Sequence, residues 1–306
     1  MLRWLLLVLV GICITFSPGA LLPGVSAAAN GLSADSAEAS ARRLVFGVHP
    51  FMPAVELHQR FSPLMEYLAV RIGLPLELKI VPDYTEAITV CVDAKVDFAF
   101  VGPSVYVEIV RQNPRVQPLG AIRGAYPRLR GVIVVRADSP LVRLENLKDK
   151  DRRIAFVAPE STMGFQVPLY LLGQAGVQLQ DLGGYSFLGN HANVGYAVLA
   201  GRFDAGAIKY EMFERLQSQG LRVLAHTPEV VDHLFVVTER VEPPLAEKVK
   251  SILQQMDGSP EGSKVLAQLR GDITEIVPVE DADFTALRFY VDYAQRSLRN
   301  NREQYQ

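Results

Sequence analysis

The chain has 306 residues, of which 49% are hydrophobic and 21% charged, a composition typical of a globular protein long enough for two modest domains. Its 31 basic and 33 acidic residues leave a formal net charge of −2. Because no strongly basic field results, the sequence argues against a nucleic acid as partner.

The N-terminus has the pattern of a secretory signal. Arg3 precedes the apolar run 4-WLLLVLVGICITF-16, and 25-VSA-27 fits a cleavage site with small flanking residues. The run is short for a membrane-spanning helix. We therefore predict a cleaved signal peptide over residues 1–28, a short linker over residues 29–42 and a periplasmic mature protein. An uncleaved N-terminal anchor is the alternative.

Two cysteines are present, Cys13 and Cys91. Cleavage of the signal would leave Cys91 alone, so the mature protein would have no internal disulfide. Cys91 lies at helical spacing from Ile88, which favours a buried structural thiol. A soft ligand for a bound ion is the other interpretation.

Apolar segments typical of strands alternate with segments of helical spacing. The predicted strands are residues 44–48, 76–81, 97–102, 132–136, 153–157, 184–189, 204–209 and 234–239. The predicted helices are residues 58–73, 85–94, 104–113, 163–176, 192–202, 210–219, 244–256, 260–270 and 281–299. This alternation predicts parallel sheets covered on both faces by helices.

The two halves of the chain share this plan, which predicts two α/β lobes of about 100 residues each with a cleft between them. Ligands of open α/β sheets bind at the carboxyl ends of the strands. The loops expected to line the cleft follow Val48, Val81, Gly102, Val157, Gly189 and Lys209.

The stretch 160-ESTMG-164 lies where a predicted strand gives way to a helix. A helix N-terminus offers unpaired N–H groups and a partial positive charge, and the hydroxyls of Ser161 and Thr162 add donors. Gly164 would let an anion approach the backbone. The stretch could hold an anion, or Ser161 or Thr162 could simply cap the helix.

Further polar side chains follow other predicted strands. His191 could donate to an oxyanion or cap a helix, and Glu211 could bind a ligand or begin a solvated helix. Tyr84 could line a pocket with its ring and hydroxyl or belong to the core. Ser104 follows Pro103 at another helix start, where it could face the cleft or act as a cap.

The sequence lacks the common motifs for catalysis and for metal binding. There is no G-x-S-x-G elbow, H-E-x-x-H helix, phosphate loop or G-x-G-x-x-G fingerprint, and the five histidines lack the spacing of metal ligands. We therefore expect no catalytic residue, no metal and no cofactor.

Taken together, these residues are similar to the phosphonate, phosphate and phosphite-type periplasmic binding proteins of ABC importers. The resemblance covers about residues 44–279. It is carried by 82-PDYTEAI-88, 97-DFAFVGPSVY-106, 138-DSPLVRLENLKDKDRRIAF-156, 160-ESTMGFQVP-168, 191-HANVGYAVLAGRFDAGA-207 and 230-VVDHLFV-236.

The resemblance implies a two-lobed, type II-like periplasmic binding protein fold, in which two Rossmann-like lobes are joined by two hinge strands. The hinge strands would be about residues 131–136 and 234–239. The first lobe would contain residues 43–132 and 237–306, and the second lobe residues 133–236. The ligand would bind between them.

The resemblance also implies roles for individual residues. Ser161 and Thr162 would hold the oxyanion, His191 would contact it, and Glu211 would bind the amino group of an aminophosphonate. Tyr84 and Asp232 resemble two further ligand contacts of the family.

In one place the sequence departs from the family pattern. Leu129 stands about where phosphonate binders have a second Tyr. Phosphate, phosphite and other alkylphosphonates therefore remain candidate ligands.

By resemblance the protein would be a monomer that captures a small oxyanion for an ABC permease. An oxyanion sensor, for example of the arsenite type, feeding a membrane histidine kinase is the alternative. An enzyme on the same scaffold is a third possibility.

Overall fold

The computed structural model describes residues 43–303, with side chains described for residues 43–301. The predicted signal peptide and linker lie outside the described residues. Among the helices of the described part, none is long and apolar enough to cross a membrane.

Eleven strands form two mixed sheets in the described part of the chain. They are β1 (Leu44–Val48), β2 (Leu76–Ile80), β3 (Phe98–Val101), β4 (Gln117–Gly124), β5 (Gly131–Arg136), β6 (Arg153–Phe156), β7 (Gly184–Phe187), β8 (Ala205–Lys209), β9 (Leu221–His226), β10 (Leu234–Val237) and β11 (Ile273–Val277). The first sheet has the order β11-β4-β10-β3-β1-β2, and the second has the order β7-β6-β8-β5-β9.

The expectation of parallel sheets holds for only part of each sheet, because both sheets are mixed. In the first sheet β1 is parallel to β2 and β3, but β10 is antiparallel to both β3 and β4. In the second sheet β6 is parallel to β7 and β8, while β5 is antiparallel to β8 and β9. The reason is that β5 and β10 each follow a crossing from the other sheet and enter their sheet in the reverse direction.

Nine α-helices cover the two sheets in the described part of the chain. They are α1 (Ala54–Ile72), α2 (Tyr84–Val92), α3 (Pro103–Gln112), α4 (Val167–Gln174), α5 (His191–Leu199), α6 (Tyr210–Leu216), α7 (Pro243–Gln254), α8 (Pro260–Leu269) and α9 (Thr285–Glu303). A π-helical turn, Thr162–Gln166, leads directly into α4.

Local chemistry explains several helix boundaries. Asp83 and Asn190 each precede a helix and accept a hydrogen bond from the backbone N–H three residues later, at 2.7 and 2.9 Å. At the other end of α1, Gly73 has φ of 81°, the left-handed conformation that glycine adopts without strain. These caps fix the points at which the strand-following loops become helices.

The two sheets are connected by the segments 125–130 and 227–233. Leu129 and Val230 pair across these segments, with N–O distances of 2.8 and 3.1 Å. The predicted hinge strands, 131–136 and 234–239, instead lie mostly within the sheets as β5 and β10. Their apolar residues are buried there, which is why the crossing itself falls a few residues earlier.

The C-terminal helix packs against elements of both sheets. Leu287 and Val291 join the apolar cluster around Tyr106 of α3, and Ala294 joins the cluster that contains Leu172 of α4. The lobe boundaries, which place all of residues 237–306 in the first lobe, stay a prediction.

Candidate functional site

A small cavity lies where loops that follow strands of both sheets meet. Its lining consists of His49, Tyr84, Gly102, Val105, Leu129, Ser161, Thr162, Met163, His191, Lys209 and His233. The cavity leaves about 10 Å³ for the centre of a water-sized sphere, which is room for about one water molecule. The fold thus brings four of the predicted site residues together: Tyr84, Ser161, Thr162 and His191.

Ser161 and Thr162, at the start of the π-helical turn, cap that turn and also supply hydrogen-bond donors. The Ser161 hydroxyl oxygen accepts the N–H of Gly164 at 3.1 Å, and that of Thr162 accepts the N–H of Ser104 at 3.1 Å. The hydrogen of the Thr162 hydroxyl is therefore available for donation, whereas the Ser161 hydroxyl also lies against the phenol of Tyr84. Among the described residues, the N–H groups of Thr162 and Met163 make no hydrogen bond, as expected at a helix start.

Gly164 and Ser104 do not line this cavity. A Cβ at position 164 would lie 2.4 Å from the Cβ of Val157 and 2.5 Å from Oγ of Ser161. Glycine is needed there for close packing, and its N–H already serves Ser161. Ser104 is fully buried, and its Oγ has no partner among the described residues.

His191 is held by the end of β8. The backbone N–H of Lys209 donates to Nδ1 of His191 at 3.1 Å, so in the neutral ring the proton is on Nε2. Burial, together with the nearby charge of Lys209, lowers the pKa of His191 well below its usual value. The imidazole is therefore a neutral ring that can donate from Nε2.

Lys209 supplies the cavity with an ammonium group. Its side chain is buried, with Nζ 4.3 Å from the ring centroid of Phe51 and 3.8 Å from Oε2 of Glu211. Burial lowers the pKa of Lys209, an effect that Glu211 partly offsets. A buried cation with one distant carboxylate partner favours an anion beside it.

His49 and His233 form a second pair of rings at the cavity. Their centroids are 5.2 Å apart at an interplanar angle of 23°. His49 bonds through Nδ1 to the carbonyl oxygen of Phe100 at 3.2 Å, and His233 bonds through Nδ1 to Oδ1 of Asp232 at 2.8 Å. Both rings are almost completely buried.

Asp232 orients His233 rather than lining the small cavity. Its Oδ2 accepts a hydrogen bond from Nη1 of Arg270 at 2.9 Å. Burial disfavours the ionised carboxyl, but Arg270 and His233 outweigh it and hold the pKa of Asp232 well below its usual range. Asp232 is therefore an ionised partner of two basic side chains.

Tyr84 and Cys91 belong to the same helix but have different surroundings. Tyr84 lies against His49, with ring centroids 5.3 Å apart, and burial raises the pKa of its phenol. Cys91 is fully buried in the apolar core, and burial raises the pKa of its thiol to about 12. A neutral thiol in such surroundings behaves as a small apolar side chain.

A wider cavity of about 480 Å³ adjoins the small one. Glu211 and Asp232 face this wider space, while Leu129 and Lys209 line both. Leu129, the residue that departs from the family pattern, is therefore part of the wall between the two cavities. Within residues 43–301, no group of three or more His, Cys, Asp or Glu could hold a metal ion.

Sequence reasoning missed His49, Lys209, His233 and Arg270. Two of these had a usable signal, since His49 directly follows a predicted strand and Lys209 ends another. Both loops were expected to line the cleft. His233 and Arg270 had no local signal, because Arg270 reaches the site from the end of α8, 38 residues beyond its partner Asp232.

Two helix-covered β-sheets enclose a small polar cavity at their strand ends, and several hydrogen-bond donors line it. This arrangement is that of a two-lobed solute-binding protein. The chain belongs to the family described as ABC transporter, phosphonate, periplasmic substrate-binding protein, whose model matches residues 46–284.

Individual relatives agree with this assignment. The probable ABC transporter phosphite binding protein PhnD1 of Prochlorococcus marinus (strain MIT 9301) is 28% identical over 219 residues, covering 66% of this chain and 73% of the relative. The phosphonates-binding periplasmic protein of Escherichia coli (strain K12) is 25% identical over 248 residues, covering 78% of this chain and 73% of the relative.

A solved structure gives the same fold. PhnD1 from Prochlorococcus marinus (MIT 9301) in complex with methylphosphonate matches with a TM-score of 0.75 at 22% identity, covering 83% of this chain and 98% of that chain. The family resemblance is therefore confirmed, and so is the two-lobed α/β fold class.

Proposed function

We propose that the protein captures a phosphorus oxyanion (a phosphonate, phosphite or phosphate) in the small cavity for an ABC importer. The observation that carries the proposal is the convergence of donors there. They are the hydroxyls of Ser161 and Thr162, the free N–H groups at their helix start, Nε2–H of His191 and the ammonium of Lys209.

Such a set of donors suits an anion with several oxygen atoms. Each oxygen of a tetrahedral oxyanion can accept more than one hydrogen bond, and bonds to a charged acceptor contribute about 1.5–3 kcal/mol each. The partial positive charge of the helix start and the full charge of Lys209 both favour a negative ligand. Tyr84 closes one side of the cavity with its ring.

Entry of the anion requires the two sides of the cavity to separate, because the present space admits about one water molecule. Several contacts join the sides. They include the bond from Ser104 N–H to Thr162, the ion pair of Glu56 with Arg215 at 3.3 Å, and the bond from Thr85 to Glu160 at 3.4 Å. We infer hinge-type closure over the ligand about the paired crossing residues Leu129 and Val230.

The substituent on phosphorus would extend into the wider cavity. Glu211 and Asp232 face that space, and Leu129 stands at its boundary with the small cavity. In this arrangement Glu211 is the group available to an amino substituent, since Asp232 is already paired with Arg270 and His233.

We further infer that the protein acts by binding alone. In the described part of the chain, neither Ser161 nor Thr162 is hydrogen-bonded to a histidine, so no nucleophile and base pair is assembled. The proposal includes a cleaved signal peptide, a monomeric protein in the periplasm and recognition of the ligand-bound form by a permease.

A thermal-shift panel tests the proposal. The ligands are phosphate, phosphite, methylphosphonate and other alkylphosphonates, 2-aminoethylphosphonate, arsenite and sulfate. A ligand present at about 100 times its Kd stabilises the fold by about 2.7 kcal/mol. We expect at least one phosphorus oxyanion to do so. A flat response to every member of the panel would overturn the proposal.

A further inference from the structure

The three histidines of the small cavity present different hydrogen-bonding groups to it. In a neutral imidazole one nitrogen carries the proton and the other is an acceptor, and the partner of one nitrogen fixes the role of the other. Each of these rings has a partner at Nδ1, so each Nε2 has a defined role.

His49 and His233 have unprotonated Nε2 atoms. The carbonyl oxygen of Phe100 can only accept, so Nδ1 of His49 must donate to it. Asp232 is held ionised by Arg270, so Nδ1 of His233 must donate to its carboxylate. Burial is the main cause that lowers the pKa of both rings, and neutral rings leave a lone pair on each Nε2.

These two acceptors lie side by side at the cavity. A Cβ at Gly102, a residue that lines the cavity, would lie 3.4 Å from Nε2 of His49 and 3.8 Å from Nε2 of His233. Neither Nε2 makes a hydrogen bond with any described residue. His191 has the opposite polarity, because its Nδ1 accepts from Lys209 and its Nε2 donates.

We propose that Nε2 of His49 and Nε2 of His233 together accept, in one bifurcated hydrogen bond, the single acidic proton of a monoprotonated phosphorus oxyanion. The site thereby selects the hydrogen-phosphonate or hydrogen-phosphite monoanion over anions that have no proton to donate. This inference rests on the proposed function and specifies its ligand. No covalent step is involved, and the proton stays on the ligand.

An unprotonated anion oxygen facing these lone pairs would be repelled and left without a donor. A buried acceptor without a partner is costly, because it has lost its hydrogen bonds to water and gained none in the protein. A sulfonate, which is fully ionised and has no proton, would meet this penalty even though its shape matches that of a phosphonate.

Charge balance favours the same ligand. Among the described residues that line the small cavity, Lys209 carries the full positive charge, and Glu211 at 3.8 Å already offsets part of it, so the site accommodates one negative charge on the ligand more readily than two. A dianion would leave a net negative charge in a desolvated space, which is costly. Behind the rings, Arg270 pairs with both Asp232 and Asp272, so no uncompensated positive charge is left there for a second negative charge on the ligand.

Phosphorus-31 NMR of the bound ligand tests the inference. The probe is methylphosphonate or phosphite, whichever stabilises the protein more in the thermal-shift panel. The phosphorus-31 chemical shift of the bound ligand should stay at the value of the monoanion. We expect this from about one pH unit below the second pKa of the free ligand to about two pH units above it. Over the upper part of that range, affinity for the total ligand should fall about tenfold per pH unit.

Lys209, Tyr84 and His191 also face the two rings and have pKa values displaced by burial, so affinity alone would not isolate the proton of the ligand. The phosphorus-31 chemical shift does isolate the proton of the ligand, because this shift depends on the ionisation of the phosphorus oxyanion itself. A bound resonance at the dianion position above the second pKa would overturn the inference.

Methanesulfonate provides a matched ligand for methylphosphonate, with the same shape but no acidic proton. We expect it to bind at least about tenfold to a hundredfold more weakly at a pH below the second pKa of methylphosphonate. Binding of the two ligands within about threefold would overturn the inference and leave the proposed function standing. Failure of every phosphorus oxyanion to bind would overturn both.

His49→Phe removes one acceptor while keeping an aromatic ring beside Phe51 and Tyr84. Its affinity for the monoanion should fall about tenfold to a hundredfold. His58→Phe, at an exposed position of α1, is the matched control and should bind as the unaltered chain does. Should His49→Phe fail to fold, the NMR measurement on the unaltered protein decides the question alone.

Discussion

Nδ1 of His191 accepts the backbone N–H of Lys209 at 3.1 Å. This single bond joins the start of α5 to the end of β8, and it places a ring N–H and an ammonium group at the same cavity. Both side chains are buried. The protein therefore carries a desolvated positive charge that Glu211, 3.8 Å from Nζ of Lys209, offsets only in part, and a bound anion would add to that compensation.

Lys209→Met should lower the affinity for the oxyanion without lowering the stability of the fold. The ligand-free variant should unfold at the same temperature as the unaltered chain or higher, because a buried ammonium with one partner at 3.8 Å is replaced by an apolar side chain of similar length. Affinity for the oxyanion should fall at least about tenfold. Thermal unfolding and calorimetric titration measure the two effects.

Lys264→Met is the matched control, since it makes the same charge change at an exposed position of α8. It should leave affinity unchanged. Equal affinity in Lys209→Met and in the control would show that the anion binds away from Lys209.

The buried histidines should make the ligand-free protein sensitive to acid. The pKa values of His49, His191 and His233 are all lowered, with burial as the largest cause. Below about pH 6.5, the usual histidine value, the unfolded chain binds more protons than the folded chain. Stability should therefore fall as pH falls, by up to about 1.4 kcal/mol per pH unit for each such histidine.

Urea unfolding at a series of pH values between about 7.5 and 5 measures this slope. His49→Phe should have a shallower slope than the unaltered chain, because one titrating group is removed. His58→Phe, at an exposed position, should have the same slope as the unaltered chain. A flat profile in the unaltered protein would contradict the burial of neutral histidines.

Thr162 should contribute to binding through its hydroxyl. Thr162→Ala removes a donor to the ligand and also the acceptor for the Ser104 N–H that joins the two sides of the cavity. Affinity should fall by about tenfold to a hundredfold, whereas the loss of a cap-like contact should cost the fold only about 1 kcal/mol. Thr162→Ser keeps the hydroxyl and should bind nearly as well, which calorimetry can check.

Gly164 should prove to be a packing residue. In Gly164→Ala the new Cβ would lie 2.4 Å from Val157, so we expect destabilisation by about 1–3 kcal/mol through overpacking. Gly258→Ala, where a Cβ meets nothing within 4 Å, should change stability little. Urea unfolding of both variants measures the difference in stability. Equal stabilities would show that the Val157 side chain can move to make room for the new Cβ.

Local pattern was enough to predict the strand ends and the helix starts of the site. Ser161, Thr162 and His191 were predicted because polar residues at a strand-to-helix junction have a short-range signature. His49 and His233 were not, since the roles of their nitrogens depend on partners set by the fold, such as the carbonyl of Phe100. That information arises only when β1 and β3 pair.

The same reasoning explains the strands that were missed. β4, β9 and β11 have weak apolar alternation, and β4 contains Pro118 and Gly120. They are stabilised by antiparallel partners from distant parts of the chain, so tertiary pairing overrides local propensity there. The crossing at Leu129 and Val230 was misplaced for a related reason, because the neighbouring apolar runs belong to the sheets.

Glu211 should contact the substituent on the phosphorus atom of the ligand and not the anionic oxygens. It lies in the first turn of α6 and faces the wider cavity, with Oε2 3.8 Å from Nζ of Lys209. Glu211→Gln should weaken binding of 2-aminoethylphosphonate by about tenfold to a hundredfold, because the carboxylate would bond to the ligand ammonium. Methylphosphonate has no ammonium, so its affinity should change by less than about threefold. Glu247→Gln makes the same charge change at an exposed position of α7 that does not line the wider cavity, and it should leave the affinity for both ligands unchanged. Calorimetric titration of both ligands against both variants gives the comparison, and an equal loss for the two ligands in Glu211→Gln would mean that Glu211 acts only through Lys209.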